Sequence, residues 1–160
     1  HMSAQLQATE APEGSVKPQI FSLKTPMVST GMIDNFVSVT DLMKLSIKIY
    51  AEGGENFLHT HQAEDHFFVV LEGQATFRDP DDNTITLTKH QGIMLPRNCY
   101  YMFTNTGDVP VVLLRCAASW EQPWVKDSRK WWKGVKDTRV PAKNNDNVIP
   151  GKFFAPDSDL

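Results

Sequence analysis

The sequence predicts an all-β protein, built as an antiparallel sandwich or barrel. Between positions 20 and 118 it contains about eight to ten short apolar or alternating stretches, separated by turn-forming residues. No convincing amphipathic helix interrupts them. A chain of 160 residues is long enough for one domain with a substantial core.

The predicted strands differ in how clearly they are marked. In residues 42–50 apolar and polar side chains alternate, which is typical of a half-buried strand. A strong turn signal at 79–83 predicts a hairpin around it. The apolar run within the last strand predicts burial on both faces. The other strands expected with these are 66–71, 74–78, 84–88 and 109–118.

Residues 1–19 are polar, contain two prolines and show no periodicity. We expect a flexible N-terminal arm there, with His1 and Met2 as the remnant of an expression tag. Residues 20–118 are the predicted barrel, and residues 119–160 are predicted to be a C-terminal extension.

All four tryptophans lie in this extension. Asp127 or Ser128 is placed to cap a short helix through residues 129–133, and Pro141 and Pro150 predict irregular chain beyond it. Four exposed indoles would form a larger apolar patch than soluble proteins usually carry. We therefore expect residues 119–135 to pack on the barrel or on a second copy, in a homodimer.

Composition excludes several classes of function. The formal net charge is −3, so overall charge gives no case for binding nucleic acid, although residues 120–152 are locally basic. No apolar run approaches the roughly 18 residues of a membrane span. Cys99 and Cys116 form no metal or redox motif, and a disulfide between them stays open beside free thiols. The expectation is a cytoplasmic protein whose partner is a small molecule.

Three histidines suggest a metal site. His59 and His61 are two residues apart, so on a strand both side chains leave the same face. His66 begins the next predicted strand, after the short polar segment 62–65. A hairpin here brings three imidazoles together, which suits a first-row ion such as iron, zinc, copper or nickel.

The same stretch resembles the first motif of the cupin family, G-x5-H-x-H-x(3,4)-E-x6-G. Gly53, His59, His61 and Gly73 fit its intervals, and His66 stands where the family usually has a glutamate ligand. The resemblance implies His59, His61 and His66 as metal ligands. Glu64 is the alternative to His66, if the register differs by two residues.

Residues 92–105 resemble the second cupin motif, which ends P-x-G-x-x-H-x-x-x-N. Pro96 and Asn105 match, whereas Asn98 replaces the glycine and Tyr101 replaces the usual histidine ligand. Asn tolerates the left-handed backbone that the glycine would supply. The resemblance places Tyr101 beside the ion, as a phenolate ligand, as a catalytic acid–base group, or as a space-filling aromatic.

The resemblance implies a cupin-type double-stranded β-helix, a jelly-roll barrel with the metal near its open mouth. The leading hypothesis is a non-haem Fe(II) dioxygenase acting on a small enolisable or aromatic molecule. The ion is a divalent transition metal, with Fe(II) favoured over Zn(II), Ni(II), Cu(II) and Mn(II). The alternatives are a metal-dependent cyclase, isomerase or lyase, and a cupin that binds a small molecule without turning it over.

Overall fold

The computed structural model describes residues 16–119, 128–135 and 147–155, and within them the protein is all-β with a short 3-10 turn at 132–134. Ten strands lie between residues 25 and 118, as the sequence predicted. They are β1 (Thr25–Val28), β2 (Met32–Val39), β3 (Met43–Tyr50), β4 (Gly54–His61), β5 (Asp65–Glu72), β6 (Gln74–Arg78), β7 (Thr84–Thr88), β8 (Gly92–Leu95), β9 (Tyr101–Asn105) and β10 (Val111–Ala118). Two further strands follow: β11 (Arg129–Trp131) and β12 (Val148–Phe154).

The strands form two five-stranded antiparallel sheets, ordered β2-β3-β10-β5-β8 and β11-β4-β9-β6-β7, and a two-stranded sheet of β1 and β12. Apolar side chains from both five-stranded sheets meet in one inner core. Phe68 of the first sheet lies 5.4 Å, between ring centroids, from Phe103 of the second. The fold is therefore a jelly roll that encloses its core between two sheets.

A second, outer core covers the back of β3. Ile47 and Ile49 pack there with Val112 of β10 and with Phe154 of β12. The polar face of the same strand, which includes Ser46 and Lys48, is also buried. The prediction of a half-buried strand was therefore wrong: both faces of β3 are covered, and its polar face looks into the barrel.

The described part of the C-terminal extension does not form the helix predicted over residues 129–133. Residues 129–131 extend as β11, which pairs with β4, and only the single turn at 132–134 follows. Pro150 does not end regular structure, because it lies within β12, which pairs with the edge strand β1. Asp127, one of the two predicted cap residues, and Pro141 lie outside the described residues.

Two turn positions explain motif residues. Gly73 has φ +79°, and a Cβ there would lie 2.9 Å from the Pro110 carbonyl oxygen, so only glycine fits. Asn98 has φ 68°, the left-handed conformation expected for a residue in a glycine position. Cys99 and Cys116 are both free thiols. Among the described residues, no helix is long and apolar enough to cross a membrane.

Candidate metal centre

The predicted histidines converge at one end of the barrel interior. His59 and His61 occupy alternate positions on β4, and their ring centroids lie 5.5 Å apart. A short turn leads into β5, where His66 lies 4.7 Å from the His61 ring. The alternation of β4 and the short turn thus bring together the three imidazoles that the sequence singled out.

The tightest group of donor atoms is not quite the predicted set. His61, Glu64 and His66 each offer one ligand atom, and these atoms all lie within 4.8 Å of one another. His59 stands beside this group, with Nδ1 2.9 Å from the Phe57 carbonyl oxygen and Nε2 3.4 Å from Glu55 Oε2. Glu64 therefore joins His66 in the group, whereas the sequence reading treated the two as alternatives.

Burial keeps two of these histidines neutral. Burial first, and then the nearby Arg115 cation, lower the pKa of His61 to about 3. The same two causes lower the pKa of His66 to about 2. At neutral pH both rings therefore keep a lone pair. His66 Nδ1 is buried and has no hydrogen-bond partner among the described residues. A neutral imidazole nitrogen without a partner is available to bind a metal ion.

Tyr101 is buried where the resemblance placed it, next to the histidines. Its ring centroid lies 4.5 Å from that of His59. Its hydroxyl donates to Glu55 Oε2 at 2.9 Å and lies 3.2 Å from His66 Nε2. Burial and the Glu55 charge raise the pKa of Tyr101 well above its usual value. Tyr101 is thus a neutral phenol tied to both a carboxylate and a histidine.

Two ion pairs inside the barrel were missed by the sequence analysis. Lys48 of β3 lies 3.0 Å from Glu55 of β4, and Arg115 of β10 binds Glu64. Burial alone would raise the pKa of Glu55, but the Lys48 ammonium and His59 hold it well below its usual range. A signal was present: Arg115 interrupts an otherwise apolar strand, and Lys48 lies on a strand with a strongly apolar alternate face. The sequence alone does not show which carboxylate pairs with either cation.

Glu64, the alternative to His66 in the sequence analysis, lies among the candidate ligands. Its side chain is only 13% exposed, because Arg115 covers it and His61 Nδ1 lies 3.2 Å from Oε1. Asp65 behaves as expected of a turn residue: it is exposed and accepts a hydrogen bond from the Arg97 amide. The two neighbouring carboxylates therefore have different surroundings, and Glu64 alone joins the site.

Residues 129–132 of the C-terminal extension lie against the site end of the barrel. β11 places Trp131 opposite His59, with 5.5 Å between ring centroids, and Trp132 contacts Tyr100 at 4.9 Å. These two indoles thus cover their own barrel. Trp120 and Trp124 lie outside the described residues. The buried rings of Phe68, Phe77 and Phe103 belong to the inner core.

Comparison with known proteins agrees with this architecture. Residues 46–115 match the family described as "Cupin domain". No curated protein matches the sequence. A solved uncharacterized conserved protein with a double-stranded β-helix domain from Klebsiella pneumoniae superposes with a TM-score of 0.56 at 16% identity, over 72% of this chain and 97% of that one. BH2720 from Bacillus halodurans gives 0.51 at 20% identity, over 57% and 73%.

The cupin domain of Cnp3 from Schizosaccharomyces pombe is also similar, with a TM-score of 0.45 at 19% identity. The match covers 49% of this chain and spans 56% of the length of that domain. At these identities the solved structures show the fold alone. The matched family and the jelly-roll architecture agree with the two motifs read from the sequence. Residues 46–115 therefore match the cupin family, and the double-stranded β-helix to which they belong carries a group of side chains able to hold a metal ion.

Proposed function

We propose that this protein is a metal-dependent enzyme, a non-haem Fe(II) dioxygenase that acts on a small organic molecule. The observation that supports it most is the group formed by His61, Glu64 and His66, whose donor atoms lie within 4.8 Å of one another. Two imidazoles and one carboxylate with open positions are typical of non-haem Fe(II) oxygenases. His59, predicted from the sequence as a ligand, is proposed to flank the ion.

The donor set fits such an ion. Both imidazoles are neutral at pH 7, and His66 Nδ1 is a buried atom without a partner among the described residues. Glu64 gives one oxygen, Oε1, to both Arg115 and His61. Its second oxygen is therefore the one proposed to face the ion.

Bound Fe(II) would supply open coordination positions where a chelating substrate and dioxygen can meet. The residues of the chain decide which substrate can enter. Arg115 and Lys48 place two cations in the interior, and both lower the pKa values of His61 and His66. Because Glu55 and Glu64 balance these two cations, the excess positive charge would come from the bound ion, which favours an anionic substrate such as an enolate.

Tyr101 is proposed to serve as an acid–base group beside the ion, as the sequence suggested. As a phenol it both donates and accepts a hydrogen bond, and its hydroxyl is held between Glu55 and His66. The ring is buried, so bulk water does not compete for these bonds. Proton movement at this hydroxyl would proceed along the side chains already bonded to it.

This network also favours a second candidate, a Zn(II)-dependent cyclase, isomerase or lyase. Such reactions need a Lewis acid and a proton relay but no dioxygen. Lys48, Glu55, Tyr101 and His66 form a continuous hydrogen-bonded chain at the candidate centre. The choice between the two reactions depends on the ion and on the use of oxygen.

The experiment starts with protein purified without added metal and analysed for its elements. It is then loaded anaerobically with Fe(II), and oxygen uptake is followed while small enolisable and aromatic acids are added. Uptake by the wild type but not by His66→Ala supports the dioxygenase. Turnover of such a compound with Zn(II) and without oxygen supports the second candidate. Failure to retain any of these ions overturns both and leaves a cupin that only binds a small molecule.

The homodimer remains a proposal based on the tryptophans of the tail. Trp131 and Trp132 already contact their own barrel, so a second copy would cover what they leave exposed. The mass in solution of the wild type and of a variant with both indoles replaced by alanine tests this. A wild type that sedimented as a monomer would contradict it.

A further inference from the structure

A hydrogen-bonded chain of four side chains runs through the barrel interior to the candidate centre. Lys48 Nζ lies 3.0 Å from Glu55 Oε1, and the Tyr101 hydroxyl lies 2.9 Å from Glu55 Oε2. The hydroxyl then lies 3.2 Å from His66 Nε2. The four residues come from β3, β4, β9 and β5, so both sheets contribute to the chain.

The direction of each hydrogen bond follows from what each group can donate. A lysine ammonium only donates, and an ionised carboxylate only accepts. Glu55 therefore accepts from Lys48 on one oxygen and from Tyr101 on the other. The phenol has one hydrogen, which is committed to Glu55. Towards His66 the Tyr101 oxygen can only accept, so His66 Nε2 carries the N–H.

The opposite nitrogen of His66 confirms this assignment from the other side. Nδ1 is buried and has no partner among the described residues. A hydrogen on Nδ1 would leave a buried donor without an acceptor, which is unfavourable. The lone pair of His66 therefore lies on Nδ1, the nitrogen that is free to bind an ion.

We propose that Lys48 and Glu55 are positioning residues, which fix the tautomer of His66 through Tyr101 so that Nδ1 presents its lone pair to the metal. The proposal rests on the proposed metal-dependent function, and it names what prepares this ligand before an ion arrives. It also accounts for a charged pair inside an apolar barrel. A buried ion pair contributes little net stability compared with apolar residues of similar volume, so its retention calls for another role.

Glu55→Gln gives the sharpest test, because it keeps the shape of the side chain and reverses the direction of the hydrogen bonds from Glu55 to His66. The ammonium of Lys48 would take the amide oxygen, which is the only acceptor, and the NH2 group would face Tyr101. The phenol would then turn its hydrogen towards His66 Nε2, and the hydrogen on the ring would move to Nδ1. Thr60→Val is the control. The buried Thr60 hydroxyl lies on β4, as Glu55 does, and has no partner among the described residues.

The first measurement is the protonation of the two His66 nitrogens by 15N NMR in metal-free protein, with the signals assigned by His66→Gln. We expect Nε2–H in the wild type and in Thr60→Val, and Nδ1–H in Glu55→Gln. A wild-type ring with Nδ1–H would overturn the proposal. An unchanged tautomer in Glu55→Gln would overturn it as well.

The second measurement is the dissociation constant for Zn(II), obtained by competition with a chelating dye. We expect Glu55→Gln and Tyr101→Phe to weaken Zn(II) binding by roughly 10- to 100-fold, as for other groups that orient a metal ligand. Thr60→Val should bind like the wild type. If the tautomer behaves as expected but the wild type binds no Zn(II), Fe(II) or Co(II), the proposed function fails while the orienting chain stands. Equal Zn(II) affinity in all variants would overturn the role in metal binding.

Discussion

Two buried ion pairs lie in the same barrel interior, and their carboxylates are used differently. Glu55 has both oxygens engaged: Oε1 binds Lys48, and Oε2 accepts from Tyr101 and lies 3.4 Å from His59. Glu64 concentrates its contacts on one oxygen, Oε1, which faces both Arg115 and His61. Glu64 belongs to the candidate ligand group, whereas Glu55 does not.

We infer from this difference that proximity to histidines is not sufficient for a carboxylate to bind a metal. What matters is an oxygen that has no other partner. A carboxylate whose two oxygens are both bonded within the protein orients its neighbours, and one with an oxygen to spare can bind an ion. We therefore propose that one pair, Lys48–Glu55 (the inner pair), orients the site, and that the other, Arg115–Glu64 (the outer pair), supplies a ligand to it.

The largest expected effect comes from breaking the inner pair. Lys48→Met leaves the Glu55 carboxylate in the interior without its cation, so we expect a loss of about 3–5 kcal/mol in the free energy of unfolding. The double variant Lys48→Met/Glu55→Leu should recover most of that loss, since it removes both charges. Denaturant titration of the metal-free proteins measures both values. A double variant as unstable as the single one would contradict this account of the pair.

Substitutions of the candidate ligands are expected to have the next largest effect, and they test the outer pair. His61→Ala and His66→Ala should each weaken Zn(II) binding by more than the roughly 10- to 100-fold that is typical of orienting residues. Glu64→Ala should weaken it more than His59→Ala, because Glu64 lies in the group of converging donors. Calorimetric titration with Zn(II) gives the order. The reverse order would restore the set His59, His61 and His66 that the sequence predicted.

Tyr101→Phe tests the phenol that joins Glu55 of the inner pair to His66. At saturating metal we expect turnover to fall by roughly 10²-fold, the size expected for a lost acid–base group. The fold should be kept, since Phe fills nearly the same volume. Turnover is compared with Tyr100→Phe, whose ring packs outside the site against Trp132. Unchanged turnover in Tyr101→Phe would make it a core aromatic.

The last prediction concerns the dependence of stability on pH in metal-free protein. The folded-state pKa values of His61 and His66 are about 3 and about 2, below the value of 6.5 for an unperturbed histidine. Below pH 6.5 the unfolded chain therefore binds protons that the folded chain does not, and stability falls as the pH drops from 6.5 towards 3. His66→Gln should reduce this slope. An identical slope in that variant would show that His66 is not buried as a neutral ring.

The sequence by itself determined the strands between residues 25 and 118, the hairpin turns and the grouping of three histidines. Alternation along β4 fixes His59 and His61 on one face, and the short turn that follows brings His66 beside them, because these are local properties of the chain. The left-handed turn at Asn98 was likewise foreseeable, since it depends on the preference of one residue.

Only the tertiary structure decided what covers each face of β3. Its isoleucines are covered by an outer layer that includes Phe154, more than 100 positions away in the sequence, so its polar face is turned inwards. The contacts of Lys48 with Glu55 and of Arg115 with Glu64 depend on this arrangement of strands. Long-range pairing of charged side chains leaves no periodic signal in the sequence, because the partners are set by sheet order and register and not by neighbours in the chain.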